Sequence, residues 1–277
     1  MKRRNLLIAS SGIATAMLFA KTTHPTSAQT VQDQTVQGQM VTLANNLQGY
    51  YVQPQTRAIP STVLVFMEAF GLNNYIKSVC DRLAEAGYAA LAPDFYHGDI
   101  YAYTDIERAI AKVRSLDEAV VMQEVGSAIE FLNGRTRSIG TIGFCLGGRL
   151  VFMANEVHAD KLKAAVAYYG GGIAPAEDPF GRPSLLEQVP MMQAPIMLMY
   201  GANDQMIAPD EHARIAEALS TAKKRYAINV FPDADHGFFS DRRDNYNAAA
   251  AEEAWQMTLN FFGYHLASDR PAQEEEG

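Results

Sequence analysis

The chain is poor in cysteine and in positive charge and has no long apolar run, and each shortage removes a class of protein. Only two of its 277 residues are cysteines, Cys80 and Cys145. Two cysteines cannot build a disulfide framework. With no Cys-x-x-C and no Cys/His spacing of a zinc site, no metal is expected. Lys and Arg number 23 against 31 Asp and Glu, for a formal net charge of −8. The first 28 residues contribute +4 of that total, which leaves −12 on the remainder. No basic cluster interrupts this balance, so neither nucleic acid nor an anionic membrane surface is an expected partner. No apolar run reaches the roughly 20 residues that a membrane helix needs. What remains is 48% hydrophobic and 19% charged, an ordinary globular composition of a length that suits one large α/β domain.

The chain opens with Lys2-Arg3-Arg4, an apolar run over 6–20 diluted by Ser, Thr and Gly, and the small-residue sequence Thr26-Ser27-Ala28. Arg3-Arg4-Asn5-Leu6-Leu7, with Lys21 behind the apolar run, resembles a twin-arginine export signal. The expected organisation is an export signal over 1–28, a Gln-rich linker over 29–39, one α/β domain over 40–265 and an acidic disordered tail over 266–277. Such a protein would be periplasmic or extracellular in a bacterium, free of the membrane after signal cleavage, and a monomer or weak homo-oligomer.

Within the expected domain, apolar runs alternate with segments of helical period. After one or two antiparallel strands in 40–52, strands are expected at 62–67, 88–92, 139–144, 163–169, 196–200 and 226–231. Helices are expected at 74–86, 116–132, 146–157, 209–220 and 248–261. This alternation predicts a mostly parallel central sheet with helices on both faces. The segment 170–194 is too long for a simple connection and is expected to cap a site. Cys80 falls on the face of its helix that carries Ile76 and Leu83, so burial is expected rather than a bridge to Cys145.

The sharpest local feature is Gly143-Phe144-Cys145-Leu146-Gly147, a G-x-nucleophile-x-G turn between an expected strand and an expected helix. Glycines on both sides permit the close backbone approach of such a turn, and the helix N-terminus beneath it favours a thiolate or an oxyanion. In a parallel sheet, chemistry sits beyond the carboxyl ends of the strands. Glu68 follows the strand at 62–67, Cys145 the one at 139–144, Asp204 the one at 196–200, and His236 the one at 226–231. The order nucleophile, acid, histidine is that of the α/β-hydrolases.

Together, MEAFGLN, APDFYHGD, GFCLGG, YGANDQMI and DADHGFF make the chain resemble the dienelactone hydrolase family, a Cys-nucleophile branch of the α/β-hydrolase fold, from about residue 49 to 263. The resemblance implies a cofactor-free hydrolase of small esters or lactones, with Cys145 as nucleophile, His236 as base and Asp204 orienting it. It implies that Glu68 gates the thiol and that the amides of Leu146 and Ala69 form an oxyanion hole. Phe70, His97, Tyr169, Phe238 and Arg149 are candidates to line the substrate pocket. Enzymes of the family that act on dienelactone carry arginines where this chain has His97-Gly98 and Phe239-Ser240, leaving Arg149, Arg242 and Arg243 as possible replacements. The alternative reading is a non-hydrolytic protein on this fold, binding a small ligand or using Cys145 in thiol redox.

Overall fold

Continuous apolar runs in this sequence become strands covered on both faces. The computed structural model describes residues 37–56 and 58–267; the expected export signal and the acidic tail from Ser268 lie outside the described residues. The strands are β1 (Gln39–Thr42), β2 (Gln48–Val52), β3 (Thr62–Phe66), β4 (Ala89–Pro93), β5 (Ile139–Phe144), β6 (Leu162–Tyr168), β7 (Ile196–Gly201) and β8 (Tyr226–Phe231). Every residue of β3, β4, β5 and β7 is buried, which is what strands sandwiched between helix layers require. Gln39 belongs to β1, so the expected linker ends a residue earlier than its sequence suggests.

The eight strands form one sheet in the order β1-β2-β4-β3-β5-β6-β7-β8. β1 and β2 pair antiparallel, as do β2 and β4; all other pairs are parallel. The helices are α1 (Asn74–Glu85), α2 (Ile106–Ser115), α3 (Glu118–Phe131), α4 (Leu146–Val157), α5 (Pro209–Thr221) and α6 (Ala248–His265). Several start where a short polar side chain caps the free amides. Asn73 accepts from Ile76 N at 3.1 Å, Asp117 from Ala119 N at 2.9 Å and Asn247 from Ala250 N at 3.1 Å. Ile76, Cys80 and Leu83 share the buried stripe of α1, and Cys80 is a free thiol. Leu266, expected in the tail, is buried as the C-cap of α6; Ser61 and Ser138 hydroxyls donate to its carbonyl, each at 3.0 Å.

Helix α2 was not expected. Its apolar stripe is narrow, with only Ala109 and Val113 buried, although Ile106, Ile110 and Val113 keep helical spacing. The segment 170–194 does wall the space beside Cys145, through residues such as Gly172 and Phe180, and has a 3-10 stretch at Leu186–Met191. What fastens it is Arg149 of α4, fully buried, bound through Nε and Nη2 to Glu118 at 2.6 and 2.9 Å. Arg149 also donates to the carbonyls of Gly172 and Pro183. Arg149 therefore does not line the substrate pocket as expected. A guanidinium on a helix buried on all sides is stable only with a carboxylate and carbonyls around it, and here it becomes a strut between α3 and the crossing segment.

Helix α4 seats against β3 with almost no clearance. A Cβ on Gly147 would lie 2.2 Å from the carbonyl oxygen of Phe66, and one on Gly143 would lie 2.1 Å from that of Gly147. Backbone, not flexible side chain, is what either would strike. Gly147→Ala is expected to cost about 3 kcal/mol or more, lowering the thermal midpoint by roughly 6–12 °C. A calorimetric scan showing less than about 2 °C of change would mean that α4 has room to move.

Candidate active site

The turn from β5 into α4 fixes the site. Cys145 adopts φ 54° and ψ −113°, a conformation that costs a non-glycine residue of order 1–3 kcal/mol. Surrounding bonds hold it there. Cys145 N donates to the Tyr168 carbonyl at 3.0 Å, and the Cys145 carbonyl accepts from Gly148 N at 2.9 Å. The thiol is free, and the residue is only partly buried, at the first turn of α4.

β7 and β8 bring the other two groups. Asp204 Oδ1 accepts from Met206 N at 2.8 Å and Ile207 N at 3.1 Å, which fixes the carboxylate plane. Its Oδ2 accepts from His236 Nδ1 at 2.8 Å. Because a carboxylate only accepts, the proton of neutral His236 sits on Nδ1 and Nε2 is left as the base. Nε2 is sealed from solvent and makes no hydrogen bond of good geometry among the described residues. The Cys145 side chain is its polar neighbour, and both residues line one cavity. Burial disfavours the imidazolium, but a Cys145 thiolate and the Asp204 carboxylate favour it more strongly, and the His236 pKa rises to about 10.

Glu68, just past β3, is fully buried. Its Oε2 accepts from Tyr103 Oη at 3.0 Å, and Oε1 lies 3.6 Å from Arg243 Nη1 without a hydrogen-bond partner. Burial pushes this carboxyl above its ordinary range, against the pull of Arg243, Tyr103 and a charged His236. Ala69 and Leu146 flank the same cavity as Cys145, and neither amide donates to a protein acceptor among the described residues. The sequence pattern brings these six residues together: Glu68, Ala69, Cys145, Leu146, Asp204 and His236.

The expected pocket residues fare differently. His97 is exposed and bonds Glu124 at 3.0 Å, away from the cavity. The cause is Asp94, whose two oxygens accept from Tyr96 N and Gly98 N and wind a turn that puts His97 at φ 54° on its outside. Tyr169 and Phe238 are fully buried, Tyr169 packing on the His236 ring and Phe238 on Tyr169, rather than lining the cavity. Phe70 is buried against Tyr103, with Arg243 over its ring. Of the three arginines considered, only Arg243 reaches the site, at Glu68; Arg242 pairs with its neighbour Asp241 at the surface.

The cavity beside Cys145 has a volume of about 130 Å³. Its walls come from α2, through Ile110 and Val113, from the crossing segment, through Phe180 and Arg182, and from Met206 and Ile207 after β7. Sequence reasoning missed these residues. The stripe of α2 was the available signal for Ile110 and Val113; for Phe180 and Arg182 there was none, since an irregular segment carries no periodicity.

The dienelactone hydrolase family model matches residues 47–266. A Methylorubrum extorquens protein named "putative carboxymethylenebutenolidase" is 33% identical over 277 aligned positions, covering 94% of this chain and 92% of that one. An Escherichia coli K12 protein of the same name is 32% identical, covering 86% of this chain and 90% of its own length. The crystal structure of a Klebsiella pneumoniae "putative dienelactone hydrolase" superposes with a TM-score of 0.76 at 28% identity, over 82% of this chain and 98% of that one.

The raised His236 pKa depends on negative charge at Cys145. Its contribution to stability is present below the unfolded histidine value near 6.5 and is lost as pH rises through about 10. In Cys145→Ala the imidazole is expected to titrate at least about one unit lower than in the parent protein. Imidazole nitrogen shifts followed by NMR against pH measure this. An unchanged midpoint would mean that Asp204 alone sustains the charge.

Proposed function

The chain belongs to the dienelactone hydrolase family and is a hydrolase of that type, and from that premise we propose that it cleaves small carboxylic esters or lactones through an acyl-thioester on Cys145. The observation that carries this reading is the coincidence, at one cavity, of a strained free cysteine and a histidine whose tautomer Asp204 fixes.

The Cys145 proton passes to His236 Nε2, giving the thiolate–imidazolium pair that the raised His236 pKa favours, and the sulfur attacks the ester carbonyl carbon. The carbonyl π electrons move onto oxygen, where the amides of Leu146 and Ala69 stabilise the charge. Collapse breaks the bond to the leaving oxygen, which receives the proton from His236 and leaves the acyl group on sulfur. Nε2 then deprotonates a water that attacks the thioester, and the departing thiolate recovers the proton. A thiolate is a better leaving group than an alkoxide, so the first intermediate reverts unless the leaving oxygen is stabilised. Enol lactones and aryl esters meet that condition.

Glu68 is assigned control of the resting thiol. A buried carboxyl with one oxygen free of hydrogen bonds changes its charge at little structural cost, and its charge acts directly on His236. Residues 1–28 are assigned export. Mass spectrometry of the protein recovered from the periplasm or medium is expected to find residues 1–28 removed, and an intact cytoplasmic chain would refute it.

Turnover of a p-nitrophenyl ester tests the chemistry. Cys145→Ala is expected to reduce kcat by about 10³-fold or more. Glu68→Gln is expected to reduce kcat/KM about 10- to 100-fold and to shift the acidic limb of the pH profile. Intact-mass spectra of the quenched parent enzyme are expected to show the acyl adduct, absent from Cys145→Ala. A folded parent protein with a titratable Cys145 and no turnover would refute hydrolysis and favour ligand binding or thiol redox.

A further inference from the structure

The cavity that would receive the acyl group has a charge pattern unsuited to an anion. Among the described residues lining it, Arg182 is the one Lys or Arg, and the charge of a protonated His236 is matched by the Cys145 thiolate beside it. Its Nε and Nη2 hold Asp178 at 3.2 and 2.9 Å, and its Nη1 lies 3.9 Å from Glu118. Its guanidinium also covers the ring of Phe180. Asp178 is in turn fixed by the amides of Phe180 and Arg182, at 2.7 and 3.2 Å. Burial of Asp178 is outweighed by these partners, which keep its carboxyl below the ordinary range. A substrate carboxylate would gain Arg182 only by displacing an acceptor built into the same turn. Glu118 is not free to compensate, because it also holds Arg149.

Two further carboxyls line the wall, the exposed Glu177 and the buried Glu211. Glu211 caps the crossing segment by accepting from Ala174 N at 2.9 Å, and burial raises its carboxyl. Even with Glu211 uncharged, Glu177 and Asp178 outnumber Arg182. Apart from Cys145 and His236, the rest of the wall is apolar. Arg243, the remaining cation near the site, stands outside this cavity, against Glu68 and the rings of Phe70 and Tyr103.

We infer that this enzyme selects esters and lactones whose acyl portion is uncharged, and that Asp178 and Glu177 exclude substrates bearing a second carboxylate. The inference rests on the hydrolytic reading above. This wall faces the acyl portion beyond the carbonyl. Its neutrality follows from like charge: at an effective dielectric near 20, a carboxylate within about 6 Å of an uncompensated carboxylate is disfavoured by at least tenfold.

A matched pair of substrates tests this, p-nitrophenyl hydrogen adipate and its methyl ester, which share a chain and differ in charge. The neutral diester is expected to be favoured in kcat/KM by about tenfold or more at low ionic strength, and less so as salt is added. Glu177→Lys, on the exposed rim, is expected to narrow the ratio by about tenfold, and Asp178→Asn, which frees Arg182, to narrow it further. An anion turned over as well as the neutral ester would overturn the inference, as would a ratio unmoved by Glu177→Lys. If neither ester is hydrolysed in a Cys145-dependent way, the hydrolytic reading itself fails and the inference falls with it.

Discussion

The left-handed backbone at Cys145 is the constraint on which the rest of the structure depends. A side chain there is unfavourable in isolation, and it persists because β3, β5 and α4 touch through glycines whose Cβ atoms would collide with main chain. The contact of Gly148 with Gly170 extends the same close packing to the start of the crossing segment. One tight turn thus couples the nucleophile to the two neighbouring strands and to the wall of the cavity. Its strain is offset by a core that is buried throughout β3, β5 and β7.

Charge is handled by the same economy of partners. Glu68, Asp204, His236, Arg149 and Glu211 are buried and ionisable. Each has a fixed partner: Tyr103 and Arg243, His236, Asp204, Glu118, and the amide of Ala174, respectively. Unpaired, any of them would be costly in so dry a setting. Within these groups, Glu68 Oε1 and His236 Nε2 are left without hydrogen bonds. Both belong to groups that a nucleophilic mechanism needs to change protonation.

Strand and helix assignments were legible because they arise from local periodicity. β5, α4 and β8 match their expected limits, and most others differ by a residue or two. The failures have physical causes. Helix α2 presents a stripe too narrow to register, because only Ala109 and Val113 of it are buried. Arg149 reads as a polar group near the nucleophile, yet α4 is buried on every side, and the guanidinium is taken up by Glu118, 31 residues away in the chain. His97 follows a motif of the site, but the Asp94 turn carries it outward.

The sequence by itself determined the sheet, the elbow and the order of thiol, carboxylate and imidazole. Each of these is written in short-range spacing, and parallel strands must deliver their trailing residues to one edge. Only the tertiary structure decided which charges face the cavity. Long side chains are placed by whatever segment crosses above them, and here residues 170–194 close Arg182 onto Asp178 and leave Glu177 at the rim. Chemistry follows from local pattern because backbone geometry is local. Selectivity depends on electrostatic pairing between segments remote in the chain, and no local pattern encodes that.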